Sequence, residues 1–426
     1  MNKTADTVEA VRTLREPTTI RSRCHAVLQA VEAGRSDHFR VERAALDGVA
    51  ERIATLTRSR FPDLQVPYHS RWRHFEAGGV NRKAELDACL AGRSTAAMAR
   101  ARIDLTLISV LLDAGAGPDW RYLEAGSGQT FSRSEGLAVA SFRAFLAGLF
   151  SSDPGDPCRV DAKALLALRA DALGAAFQVG PDNPLVGLAG RVELLHRLGE
   201  ALRARPDCFT AEGQPGHLFD VLTHHRHAPQ LHHHHPLPNN GKHHLSATRI
   251  LGALLDAFSS IWPSGQMLGD QPLGDVWRHP AAGGDALSAG WVPFHKLSQW
   301  LTYSLLEPFE WAGVHVNHLD ELTGLPEYRN GGLLLDAGVL QPLDPGYASR
   351  PFTPADPWVI EWRALTVALL DELAPLVRDR LGASAEQLPL ARILEGGSWA
   401  AGRQIAAEKR PGGAPPVQIR SDGTVF

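Results

Sequence analysis

The stretch TAAMARARIDLTLISVLL, from Thr95 to Leu112, is the clearest indicator of the fold class of this chain. Its apolar residues recur at every fourth position, at Ala99, Ile103, Leu107 and Leu111. A spacing of four places these side chains along one face of an α-helix. The stretch therefore predicts a buried helix.

The same periodicity recurs in other segments. One repeat comprises Val192, Leu195, Leu198 and Leu202, and a second comprises Ile250, Leu254, Phe258 and Ile261. Ser246 is suited to cap the second helix, which must end by Pro263. A further helix is predicted from about Ile360 to Arg380, with Gly382 as its C-terminal signal. Alternating β-branched and polar residues are scarce, so we predict a mainly α fold, a multi-helix bundle.

The composition restricts the possible partners and the compartment. The chain has 426 residues, with 43 basic and 47 acidic side chains and a net charge of −4. This balance gives no reason to expect nucleic acid or an anionic membrane as a partner. The four cysteines form no CxxC pair, and the N-terminus lacks the apolar run of a signal peptide. We therefore expect a cytoplasmic protein.

Segments rich in Pro, Gly and Asp divide the chain into predicted regions. We predict an N-terminal helical region at residues 1–150, which carries the motif HSRWRHF, and a helical catalytic region at residues 151–426. The second region contains a loop insertion at residues 217–244 with ten of the 19 histidines. Consecutive histidines offer ligands without fixed geometry, so we expect weak, adventitious metal binding there and no functional metal or cofactor.

The segment LTGLPEYRNGGLLLDAGVL, from Leu322 to Leu340, combines charged residues with adjacent glycines. We predict a helix from Pro326 to Ala337, with Glu327 in its first turn, followed by Tyr328 and Arg329. Two glycines inside a helix cost ~1 kcal/mol each relative to alanine. Gly331 and Gly332 therefore indicate a close approach to their backbone, by a crossing helix or by a ligand.

Two further segments are candidates for ligand binding. In VPFHKLSQWLTYSLLEPFE, polar but largely uncharged side chains, including Lys296 and Gln299, recur along one face of a predicted helix. Such a face is typical of a pocket wall or of a solvated surface. In VPYHSRWRHFEAGGVNR, cations stand beside aromatic rings, a combination that can hold phosphate, sugar or a planar base but also occurs on exposed helices. The candidates there are His69, Arg71, Trp72 and Arg73.

Carboxylates are the remaining candidates for acid–base chemistry. The chain has no GxSxG elbow, no HExxH motif and no dinucleotide-binding GxGxxG after a strand. Asp104 interrupts an apolar helix, where an ion pair or a ligand must compensate its charge. Glu361 and Arg363 form a Glu-x-Arg pair at the start of a predicted helix. This pair is expected to cap the helix or to form a second polar wall of a ligand pocket.

Nearly the whole chain resembles the uracil catabolism protein 4 family. The resemblance rests on long motifs in order: VPYHSRWRHFEAGG, LLDAGAGPDWRY, RSEGLAVASF, GDVWRH, VPFHKLSQWLTYSLLEP, LTGLPEYRNGGLLLDAGVL, EWRALTVALLDELA, EGGSWAAGR and SDGTVF. It implies a role in the degradation of uracil through ribosylated intermediates to urea. The histidine-rich insertion departs from the family pattern.

A more distant resemblance implies a mechanism. The queuosine salvage proteins are nucleotide N-glycosylases with a fold like that of helix-hairpin-helix DNA glycosylases. Their LT-x-x-A-D-Y-R segment is similar to LTGLPEYR, with Glu327 in place of the aspartate. Their K-x-x-Q helix is similar to KLSQ, and their Glu-x-Arg is similar to Glu361 and Arg363. An aspartate of their K-x-x-Q helix falls on Ser304 here, so the carboxylate pair is not identical.

Together these observations predict an N-glycosidase that cleaves ribosylurea, or its 5′-phosphate, to urea and ribose. Glu327 is expected to stabilise the oxocarbenium-like transition state, and Asp104 or Glu361 to protonate the departing nitrogen. Substrate contacts are expected from Lys296, Gln299, Tyr328, Arg329, Arg363, His69, Arg71, Trp72, Arg73, Gly331 and Gly332. The alternatives are a ribosyl or phosphoribosyl transferase and a non-catalytic partner that binds ribosylated intermediates.

Overall fold

Helices carry most of the chain, as the periodicity predicts. The computed structural model describes residues 3–223, 244–262 and 266–420. Its α-helices are α1 Lys3–Leu14, α2 Pro17–Glu32, α3 Ala45–Arg60, α4 Arg71–Phe75, α5 Arg82–Cys89, α6 Thr95–Leu111, α7 Arg133–Leu146, α8 Ala162–Ala167, α9 Ala170–Ala176, α10 Leu188–Ala204, α11 Pro206–Phe209, α12 Leu218–Thr223, α13 Ala247–Phe258, α14 Lys296–Trp311, α15 Tyr328–Asp336, α16 Pro357–Leu381, α17 Leu390–Ile393 and α18 Trp399–Lys409. A π-helical turn, Leu394–Ser398, joins α17 to α18.

The strands are short and pair only two by two within the described residues. Four pairs are antiparallel: β1 Phe39–Val41 with β10 Leu340–Pro342, β2 Tyr122–Glu124 with β3 Gln129–Phe131, β5 Met267–Leu268 with β6 Gln271–Pro272, and β7 Val276–Arg278 with β8 Trp291–Pro293. Two pairs are parallel: β4 His244–Ser246 with β9 His315–Asn317, and β11 Pro351–Phe352 with β12 Gln418–Ile419. The prediction of a mainly α protein is confirmed.

The chain folds into two compact units, each built from separate parts of the sequence. Of the described residues, the first unit comprises 3–69, 266–299 and 318–420, and the second comprises 70–223, 244–262 and 300–317. The boundary falls inside α14, so its first turn belongs to the first unit. Residues 1–150, predicted as one region, contribute to both units.

In the first unit, α16 is the central helix. Every residue from Trp358 to Leu370 is buried, as expected for a helix with apolar side chains on all faces. The helices α2, α3 and α15 pack against it. Its predicted C-terminal signal is confirmed, because Gly382 adopts the left-handed conformation at the C-cap.

In the second unit, α6 is the central helix. Ser94 caps its N-terminus by accepting a hydrogen bond from the backbone N–H of Ala97, and every residue from Ala101 to Leu112 is buried. This agrees with the helix predicted from Thr95 to Leu112. The predicted cap of α13 is also confirmed, because the Ser246 side chain accepts a hydrogen bond from the backbone N–H of Thr248. Among the described residues, none of the helices combines the length and the apolar character needed to cross a membrane.

Candidate functional site

Glu327 caps the N-terminus of α15 in the first unit. Its carboxylate accepts the backbone N–H of Arg329 at 2.7 Å and that of Asn330 at 2.6 Å. These N–H groups have no partner inside the helix, so a side-chain acceptor satisfies them. The helix begins at Tyr328, later than predicted, and Glu327 is therefore the cap and not a residue of the first turn.

The Glu327 carboxyl lies in a strongly perturbed environment. Burial raises its pKa, and this effect outweighs the two backbone N–H groups, Lys296 and His69, all of which lower it. The residue nevertheless retains partial access to solvent. A carboxyl that is surrounded by protein is a stronger base than one on the surface.

The first turn of α14 contacts the loop that leads to Glu327. The Gln299 side chain is completely buried, and its Nε2 donates to Thr323 Oγ1 at 2.9 Å. No described residue provides a hydrogen-bond partner for Gln299 Oε1. A buried amide oxygen is normally paired, so this oxygen is suited to accept a hydrogen bond from a ligand.

A buried ion pair holds the start of α14. Arg363 donates to Asp275 through two parallel hydrogen bonds of 2.8 and 2.7 Å, and Asp275 accepts the backbone N–H of Lys296 at 3.0 Å. The arginine keeps the pKa of Asp275 below its usual range, although burial alone would raise it. Arg363, predicted to bind substrate, therefore positions the backbone of Lys296.

A histidine–carboxylate pair forms another part of the candidate site, which we call the Glu327 cluster: Glu327, Lys296, Gln299, His69 and Glu395. His69 is buried, and its Nδ1 lies 3.0 Å from Glu395 Oε2. Arg60 contacts the other Glu395 oxygen at 3.2 Å. Glu395 belongs to the π-helical turn, a feature that is frequent at functional sites. Its neighbour Ser398 donates to Asn330 Oδ1 at 2.9 Å, which ties this turn to the cap of α15.

Protein atoms occupy the space beside the two predicted ligand-facing glycines. A Cβ atom on Gly331 would lie 2.7 Å from the Trp362 ring, and one on Gly332 would lie 3.1 Å from Pro416. Trp362 Nε1 also donates to the carbonyl oxygen of Gly331 at 3.1 Å. Packing against α16 accounts for Gly331, as the helix-crossing alternative predicts, whereas Gly332 faces Pro416 in a non-helical segment. The expected contact of these glycines with a sugar stays a prediction.

Three other predicted site residues of the first unit have protein partners. Glu361 accepts hydrogen bonds from Ser36 and, at 3.2 Å, from His279. Arg329 is buried and donates to the carbonyl oxygen of Gly413 at 3.2 Å. Its guanidinium lies 5.0 Å from the ring centroid of Tyr328. These contacts account for Glu361 and Arg329 as structural residues.

Comparison with known proteins identifies the family of this chain. A family described as "Protein of unknown function (DUF1688)" matches residues 13–426. The chain belongs to this family. "Uracil catabolism protein 4" of Lachancea kluyveri is 41% identical over 421 residues, which cover 92% of this chain and 93% of that protein. "Protein urg3" of Schizosaccharomyces pombe is 40% identical over 427 residues, which cover 98% of this chain and 99% of that protein. The resemblance to uracil catabolism protein 4 is thus confirmed.

The family match also covers the second unit, in which the remaining candidates lie. Asp104 is completely buried and accepts the backbone N–H groups of Val160 at 3.0 Å and Gly216 at 2.6 Å, and the Gln214 amide at 2.9 Å. Burial raises its pKa to about 7. Because its oxygens already join three segments of this unit, Asp104 has a structural role.

The arginine–aromatic motif contributes to the interior of the second unit. Arg71 is completely buried and donates to Ser109 at 2.7 Å. Trp72 is 1% exposed and donates to the carbonyl oxygen of Ser304 at 3.1 Å. Arg73 pairs with Glu307 at 2.6 Å. Arg71 and Trp72 therefore have no accessible surface for the predicted substrate contact in this conformation.

The histidine-rich insertion is only partly within the described residues. Its residues 224–243 lie outside them, so its predicted metal behaviour stays a prediction. Within residues 3–223, 244–262 and 266–420, no group of three or more His, Cys, Asp or Glu side chains is arranged to hold a metal ion.

Proposed function

We propose that this protein acts in uracil degradation as an N-glycoside hydrolase that cleaves ribosylurea, or its 5′-phosphate, to urea and ribose or ribose phosphate. The observation that carries the proposal is Glu327, a buried carboxylate held by a helix N-terminus, with Lys296 and His69 close enough to lower its pKa. The names of the relatives, "Uracil catabolism protein 4" above all, support the pathway.

The chemistry explains why such a carboxylate would be useful. Cleavage of a C1′–N bond develops positive charge on the sugar, which a fixed negative group stabilises. An ionised carboxylate accepts up to about four hydrogen bonds, and the helix N-terminus uses two of these positions on Glu327. The remaining positions would orient and deprotonate the attacking water.

Other residues of the cluster suit the rest of the substrate. Gln299 Nε2 is engaged by Thr323, so its Oε1 would accept an N–H of the urea group. Lys296 lies close enough to Glu327 to lower its pKa and would bind a hydroxyl or phosphate oxygen. The four cysteines are free thiols, which supports a reducing, cytosolic setting for this reaction.

The arrangement of three segments supports a kinship with the glycosylase-like fold of the queuosine salvage proteins. The first unit joins KLSQ to LTGLPEYR through Gln299 and Thr323. It also joins the Glu-x-Arg segment to the start of KLSQ through Arg363 and Asp275. We propose that these contacts reproduce the architecture of that group of N-glycosidases.

Urea release from ribosylurea and from its 5′-phosphate tests the proposal. We expect turnover by the wild type and a decrease of about 10²- to 10⁴-fold for Glu327→Gln. Glu321→Gln, in a more exposed position of the same segment, is the matched control and should remain active. If the wild type binds both compounds without releasing urea, the hydrolase proposal fails and a binding role replaces it.

A further inference from the structure

We propose that His69, oriented by Glu395, is the acid that protonates the departing nitrogen. The inference rests on the proposed N-glycosidase function and identifies a residue that the reaction requires. Urea nitrogen is a poor leaving group, so its departure needs a proton donor near the scissile bond.

The contacts of His69 suit this role. Its backbone N–H donates to the carbonyl oxygen of Ala391 at 2.9 Å, and its Nδ1 lies 3.0 Å from Glu395 Oε2. A carboxylate on one ring nitrogen fixes the orientation of the imidazole and stabilises the imidazolium. Because Nδ1 is directed to Glu395, Nε2 is the nitrogen that would serve the substrate.

The surrounding helices keep this pair in the same cluster as Glu327. Ser398, in the turn that carries Glu395, donates to Asn330, and Asn330 donates its backbone N–H to Glu327. Gly402 on α18 packs directly against the backbone of Arg329. His69 itself lies close enough to the Glu327 carboxyl to lower the pKa of that carboxyl.

The other two candidate acids are less suitable. Asp104 belongs to the second unit, where its carboxylate accepts three hydrogen bonds from the protein. Glu361 has Ser36 on one oxygen and His279 on the other. Glu395 retains partial solvent access, but its oxygens are bonded to His69 and Arg60. Among the residues that the structure describes, none forms a hydrogen bond with the second ring nitrogen of His69, which is left for a ligand.

The proposed step conserves protons. The C1′–N bond breaks with its electron pair moving to nitrogen, which takes the proton from His69 Nε2. Water adds to C1′, and its proton passes to the Glu327 carboxylate. Return of that proton from Glu327 to His69 completes the cycle, and the net reaction is hydrolysis.

Two substrates that differ in leaving group test the role. p-Nitrophenolate leaves without protonation, so His69→Gln should lose about 10²- to 10⁴-fold on ribosylurea and only a few-fold on p-nitrophenyl riboside. Activity on the second substrate also shows that the variant is folded. His69→Asn, whose amide can still donate to Glu395, is a second variant for the same comparison. Glu327→Gln should lose activity on both substrates.

The same two substrates separate orientation by Glu395 from a purely structural role. Glu395→Gln removes the carboxylate that lies 3.0 Å from His69 Nδ1, so it should lower the activity on ribosylurea and change the activity on p-nitrophenyl riboside only a few-fold. An equal loss on both substrates would show that Glu395 has only a structural role.

The outcomes distinguish this inference from the proposed function. If the wild type cleaves ribosylurea but the His69 variants lose both substrates equally, or lose neither, the acid role is refuted while the hydrolase remains. If the wild type cleaves neither substrate, the function itself fails and the inference fails with it.

Discussion

Gly331→Ala is the substitution that best separates packing from ligand binding at α15. The new methyl group would lie 2.7 Å from Trp362 ring atoms, inside the distance at which carbon atoms repel. Overpacking of this kind costs about 1–3 kcal/mol, and displacing Trp362 also weakens its hydrogen bond to the Gly331 carbonyl by about 1 kcal/mol. Alanine regains about 1 kcal/mol of helix propensity. We therefore expect a net loss of about 1–3 kcal/mol in the free energy of unfolding.

Gly332→Ala provides a matched control in the same helix. Its Cβ would lie 3.1 Å from the Pro416 ring, a contact that a small shift relieves, so the gain in propensity should nearly cancel the cost. Guanidinium denaturation of both variants, with KM measured alongside, gives the comparison. The packing explanation fails if Gly331→Ala is as stable as Gly332→Ala, and an increase in KM without destabilisation would restore the ligand explanation.

Three further predictions concern charged groups. Asp275→Asn removes the carboxylate that pairs with the buried Arg363, so the free energy of unfolding should fall by about 3–5 kcal/mol; a loss below about 1 kcal/mol in denaturation would contradict this. Burial raises the pKa of Glu327, so the loss of kcat/KM on acidification should begin at a higher pH than the pKa of an ordinary glutamate predicts. A kcat/KM profile whose acidic limb lies at the ordinary glutamate pKa would argue against Glu327 as the base. Burial raises the pKa of Asp104 in the folded state to about 7, above the ordinary value of 3.8. Its stabilising contribution is therefore complete below pH ~4 and is lost as the pH rises through about 7. Denaturation of Asp104→Asn, measured as a function of pH, should lack this loss.

The central helices could be predicted from the sequence because their pattern is local. The stretch from Thr95 to Leu112 was expected to form one helix, and α6 ends within one residue of that prediction. The same holds for the left-handed Gly382 that ends α16. Periodicity and capping preferences depend on neighbours three or four positions away, so no tertiary contact is needed to see them.

The partners of the site residues could not be predicted in this way. Asp275 and Arg363 are 88 positions apart, and His69 and Glu395 are 326 apart. Neither pair has a local pattern, and only the folded chain brings its members together. Glu327 was misplaced by two positions for another reason: Ser, Thr, Asp and Asn dominate the N-cap position, so a glutamate there gives a weak signal.

The capping role of Glu327 bears directly on its proposed chemistry. A glutamate on a flexible loop would lose conformational freedom when it engages a substrate, whereas two backbone N–H groups already fix this carboxylate. The same N–H groups favour its charged form, while burial opposes it with a larger effect. A transition state with positive charge at C1′ would supply a further counter-charge, so stabilisation by Glu327 would be greatest when that charge develops. Catalysis by the carboxylate requires this stronger interaction with the transition state than with the ground state.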